Sequence, residues 1–181
     1  MPWPAPLQCG VPHFDLTRNQ VLALIAVTLV LHTAEEYFTF PFVLPTLAQR
    51  LPPWVPMPSV DQSVSGLHTA LILAAVLPCL VIVWAMISRI HGLFVAGLFI
   101  EAVLLVNAIF HSVTAIVAGA YVPGLVTAVL INLPAGIYVF HRAIRQHWIR
   151  IRVAWQLTIA AAVLHVVWLG AAAMSVHHHH R

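Results

Sequence analysis

The sequence predicts an all-α integral membrane bundle of five transmembrane helices, and three observations carry that prediction. The 181 residues are 61% hydrophobic and only 7% charged, where a soluble domain carries about 25% charge. The apolar residues gather into five runs, each long enough to cross a hydrocarbon core that takes about 20 helical residues. The cations, all arginine, divide unevenly between alternate loops.

The first span is expected at about 20–44. It follows Thr17-Arg18-Asn19-Gln20, whose Thr and Gln form a capping box, and Pro45 is expected to stop it. Pro52, Pro53, Pro56 and Pro58 exclude a helix through the linker from 46 to 65. "SVDQ" at 59–62 is a second capping box, so helix two can begin outside the membrane. Its spanning part is about 67–88, with a kink expected at Pro78. "SRIHG" turns the chain into a third span at about 93–118, which "GAYVPG" ends. The fourth follows at about 124–140, and "HRAIRQHWIRIR" separates it from the fifth at about 153–175. Residues 1–19 read as an N-terminal tail, 20–176 as one membrane domain, and 177–181 as a His-rich tail given no function.

No basic residue precedes Arg18, which makes the N-terminus a poor signal peptide, so the first span is expected to be retained. Cys9 in the tail and Cys79 in a span are not expected to pair. Arg18, Arg89, Arg142, Arg145, Arg150 and Arg152 fall on one side of the bilayer, with Arg50 and Arg181 on the other. The positive-inside rule then predicts a cytoplasmic N-terminus and an outside C-terminus in a multi-pass protein. No basic stretch alternates with aromatics, so nucleic acid is excluded as a partner. The bilayer is the expected partner, with oligomers left open.

Against this apolar background, "LHTAEEYF" at 31–38 is costly. It sets His32, Glu35 and Glu36 inside the first span, where one charge at the bilayer centre costs about 2.5–3.5 kcal/mol or more. At about 100° per residue, all three occupy one sector of the helix. Counting a rise of roughly 1.5 Å per residue from the arginine-rich end, His32, Asn107, His111, Asn132 and His165 fall within one layer. Glu101 lies lower and His68 near the opposite surface. A lone His or Asn in a span is commonly interhelical glue. That is the competing reading for Asn132 and His165, as an interfacial role is for His68.

Two carboxylates can be held in hydrocarbon by sharing a proton, by pairing with a protonated His, or by a metal. Two histidines and a carboxylate suit non-haem iron or catalytic zinc. The H-E-x-x-H pattern fails, because position 36 is Glu, and the di-iron E-x-x-H pattern appears only reversed.

One resemblance fits. "HTAEE" at 32–36 followed by "NAIFH" at 107–111, with "YVPG" at 121–124, is similar to the HXXEE-motif family of small bacterial membrane proteins. The match covers roughly 20–140. The resemblance implies a bacterial cytoplasmic (inner) membrane and nominates His32, Glu35, Glu36, Asn107 and His111, but it brings no activity.

The leading expectation is a metal-dependent enzyme acting on a lipid-like or apolar small substrate. Its ligands would be His32, His111 and Glu36, with His68 and His165 as further candidates. Glu35 would act as a general base beside His32 and Glu36, and Asn107, Glu101 and Asn132 as orienting or supporting groups. The alternatives are a metal-free acid–base isomerase, a proton-coupled transporter or channel component using the same carboxylates, a haem protein with His32 and His165 as axial ligands, and a scaffold.

Overall fold

The structure, a computed structural model, describes residues 16–50 and 60–179. The four linker prolines, Ser59 of the second capping box and the tail with Cys9 lie outside the described residues. A hydrocarbon core offers backbone N–H and C=O groups no water, so each spanning segment must satisfy them internally as helix. The chain accordingly forms α1 (Arg18–Arg50), α2 (Val60–Ser88), α3 (His91–Ala118), α4 (Leu125–Arg145) and α5 (Ile151–His179). Five helices among the described residues are long and apolar enough to cross a membrane. The capping box forms at the start of α1. Thr17 N–H donates to Gln20 Oε1 at 2.8 Å, and Gln20 N–H to Thr17 Oγ1 at 3.4 Å.

Pro45 does not stop α1, which continues through both Pro41 and Pro45 to Arg50. A proline inside a helix removes the donor for the carbonyl four residues earlier. For Pro41 that carbonyl belongs to Tyr37, and His68 of α2 supplies the missing donor, Nε2 to Tyr37 O at 3.2 Å. The two rings stack at 4.0 Å. A neighbouring helix thus repairs the break. α2 likewise runs on through Pro78.

α4 is longer than expected, because Arg142 and Arg145 form its last turn instead of a loop. Cations there complement the negative end of the helix dipole, and Arg142 Nε also donates to Leu16 O at 3.1 Å. Within α4 the turn Ala128–Asn132 is π-helical, with Leu133 N–H reaching back to Ala128 O. Pro134 follows two residues after it and offers no N–H, so the wider register falls where the ladder is already interrupted. α5 also exceeds its expected span at both ends.

α3 is the central helix, packed against every other spanning helix, while among the described residues α5 touches only α3 and α4. Leu22 and Ile25 of α1, Leu98 and Ala102 of α3, and Val139 and Ala143 of α4 form the buried seam at the arginine-rich half. Small residues there let backbones approach where lipid provides no hydrophobic drive between helices. α2 and α5 turn most of their large apolar side chains outward, among them Leu80, Trp84, Ile159 and Val166. That outward surface suits hydrocarbon.

Candidate functional site

The polar cluster lies where α1, α3 and the start of α4 meet. His32 is 2% exposed. Its Nδ1 lies 2.9 Å from Thr127 Oγ1, and that hydroxyl donates to Gly124 O at 3.2 Å. With its single proton spent on Gly124, the Thr127 hydroxyl accepts from His32 Nδ1–H. The His32 tautomer is thereby fixed, and its Nε2 carries a lone pair into the cluster.

Asn107 comes from α3, one turn before His111. Its Nδ2 stands 2.8 Å from His32 Nε2 and 3.0 Å from His111 Nε2, so one amide donates a proton to each ring. Glu36 Oε1 reaches the same point, 3.1 Å from His111 Nε2 and 3.6 Å from His32 Nε2. The imidazoles meet edge to face at 5.1 Å. Three electron-pair donors, two Nε2 atoms and one carboxylate oxygen, converge with their ligand atoms all within 4.8 Å of one another. Among the described residues this is the one group of three or more such side chains that could hold a metal ion.

Glu35, adjacent in sequence, does something different. Its Oε1 accepts from the Tyr121 hydroxyl at 2.5 Å and from Val126 N–H at 3.0 Å, and its Oε2 accepts from Thr127 N–H at 2.6 Å. Those amides belong to the first turn of α4, whose N-cap is Gly124. A helix start leaves such N–H groups unbonded, and an anion there is favoured by the dipole. Glu35 is therefore a cap lent by α1 to α4. Burial first, and then the carboxylate accepting its hydroxyl, push Tyr121 above the ordinary tyrosine range.

Gly124 holds the pieces together. Its φ of +80° belongs to the left-handed region, and a Cβ there would stand 2.8 Å from His32 Cε1 and 2.9 Å from Glu36 Cγ. Only glycine lets the α3–α4 turn close over both side chains.

A model of the family described as a protein of unknown function with HXXEE motif matches residues 23–139, well over half the chain. The chain belongs to the HXXEE family. The His and second Glu of the family motif are the ones that enter the cluster, and the first Glu is the cap. No curated protein matches the chain, and no solved structure does.

The other nominated residues fall elsewhere. His68 is committed to the Tyr37 carbonyl. His165 packs on Phe110 at 5.0 Å with its buried Nε2 unpartnered, and His111 Nδ1 is also buried without a partner. Glu101 and Asn132 are fully buried, and all four of their polar side-chain atoms lack a hydrogen-bond partner among the described residues. Glu101 lies against Gly136, where a Cβ would stand 2.8 Å from its Oε1. Thr127 and Gly124 were not anticipated as site residues. The "YVPG" signal pointed to their turn, but no pattern within one helix announces a hydrogen bond to another.

Proposed function

We propose that this HXXEE protein is a membrane-embedded metalloenzyme acting on a lipid-like or apolar small molecule, with its N-terminus cytoplasmic in a bacterial inner membrane. The observation that carries the metal is the convergence of three lone-pair atoms on one point. The two Nε2 lone pairs are met by the Asn107 amide, and the Glu36 carboxylate beside them brings a negative charge that this amide does not offset; a divalent cation taking the place of the amide would offset it. Two imidazoles and one carboxylate match catalytic zinc and non-haem iron, both of which keep positions open for substrate.

His32, His111 and Glu36 hold the ion. Thr127 fixes the His32 tautomer, the kind of support that orients metal-bound histidines. With an ion on the two rings, the Asn107 amide that otherwise donates to both Nε2 atoms would be released to face a ligand or substrate. Glu35 is a positioning residue, since capping α4 occupies both its oxygens. The metal would supply Lewis acidity, and the spanning apolar surface favours a substrate that partitions into lipid.

The test is metal content and absorption of detergent-purified protein, with His177–His180 removed because that run binds metal by itself. About one metal per chain, lost in His32→Ala, His111→Ala and Glu36→Gln while the variants stay folded, supports the reading. Equal metal in wild type and all three variants overturns it.

One contact favours a second reading. Glu36 Oε1 and His111 Nε2 stand at ion-pair distance, 3.1 Å, so a single shared proton could replace the metal and make the pair a metal-free acid–base catalyst. Turnover surviving exhaustive chelation separates the two.

A further inference from the structure

At the arginine-rich end, some distance from the His/Glu cluster, α1, α2 and α3 frame an open pocket of about 340 Å³. Its floor is apolar, made by Leu22, Ala85 and Phe94, and Arg18 and Arg89 line it from different helices. Neither arginine forms an ion pair with a carboxylate among the described residues, where the ion pairs are those of Glu36 with His32 and His111. The guanidinium of Arg18 is braced over two rings, 5.3 Å from the Phe94 centroid and 5.5 Å from that of Trp148. Arg89 occupies a left-handed backbone position, φ +57°, just past the end of α2. Glycine is the usual residue there, since a side chain in that conformation costs about 1–2 kcal/mol. Glycine would be cheaper there, and the arginine instead sets a cation just past the end of α2, where it also complements the helix dipole.

We infer that this pocket binds a phosphate group, either a lipid headgroup or free phosphate. Two arginines from different helices line the same opening, and guanidinium donors suit phosphate oxygens. The opening lies at the helix ends, the level at which bilayer phosphates sit, and arginines at such a level attract anionic lipid. The apolar side chains Leu22, Ala85 and Phe94 suit the start of an acyl chain. The inference does not rest on the metal reading, because it shares no residue with that site.

The experiment uses the full chain, delipidated in detergent, with bound molecules counted by native mass spectrometry. Phosphatidylglycerol, phosphatidylcholine and inorganic phosphate are titrated separately. Saturable binding of one phosphatidylglycerol, weakened at least tenfold by Arg18→Gln and by Arg89→Gly, is expected. Arg150→Gln, at an exposed position of the same end outside the pocket, should change it less than twofold. Competition by inorganic phosphate alone would identify free phosphate as the occupant. Binding of the lipid without such competition would identify the headgroup. Arg89→Gly relieves the left-handed strain, so its melting temperature should hold or rise, and its loss of binding cannot then be unfolding. Equal weakening in Arg150→Gln, or no saturable binding of any probe, overturns the inference.

Discussion

Gly124→Ala should cost both stability and the metal site, and a second glycine provides the control. The new methyl would lie 2.8 Å from His32 Cε1 and 2.9 Å from Glu36 Cγ, with Glu36 Cδ at 3.4 Å. These contacts press on two of the three proposed ligands at once. The left-handed backbone at φ +80° adds about 1–2 kcal/mol for any residue with a Cβ. Overpacking a closed site adds about 1–3 kcal/mol, so the total is about 2–5 kcal/mol. Gly119 separates the two contributions. It too is left-handed, at φ +57°, but nothing lies within 4 Å of its added Cβ. Gly119→Ala should therefore carry only the backbone cost and leave the proposed metal site unchanged. Thermal unfolding in detergent, paired with metal analysis of each variant, reads both quantities. If Gly124→Ala behaves like Gly119→Ala in both, the α3–α4 turn does not close over the ligands and the site geometry is wrong.

Glu35→Gln should lower stability, because hydrogen bonds to a charged group are each worth about 1.5–3 kcal/mol, yet the variant should retain its metal. Metal loss equal to that of Glu36→Gln would overturn the division of labour between the two carboxylates. Thr127→Val leaves His32 without its acceptor and should weaken metal binding by about 10–100-fold; an unchanged affinity in a competition titration would refute that role. Tyr121, held neutral by burial and by Glu35, should ionise above the ordinary value of about 10. Its raised value in the folded state means that the stability it contributes is present below about 10 and is lost as pH rises through the raised value. Absorbance titration should find the phenol shifted back towards the ordinary value in Glu35→Gln, and an unmoved titration would deny the contact. His68→Ala should cost about 1 kcal/mol in the native background and much less in Pro41→Ala, where a restored N–H can serve the Tyr37 carbonyl. Equal costs in the two backgrounds would show that His68 does not repair the proline.

The histidine and the two glutamates of α1 were legible from sequence as one sector of one helix, and Asn107 with His111 as groups of another span in the same layer as His32. What could not be read was that neighbours in sequence serve different masters. Glu35 and Glu36 differ by about 100° around the helix, enough to aim one carboxylate at the start of α4 and the other at His111. His68 was equally ambiguous, since its partner is a carbonyl freed by Pro41 on another helix. Pro45 misled because helix-breaking rules describe a chain in water, whereas membrane helices tolerate proline where neighbouring groups satisfy the freed carbonyl, as His68 does for Tyr37 at Pro41.

The sequence by itself determined the five spans, the arginine-rich end, and which ionisable groups are carried into the apolar layer. Those follow from periodicity, length and the cost of exposing polar groups to hydrocarbon, all of which act along one helix at a time. Only the tertiary structure decided that His32, Glu36 and His111 share a point while Glu35 caps a helix. The reason is that ligand geometry is set by helix rotation and by the close approach at Gly124, distances between segments some ninety residues apart, on which no local pattern reports.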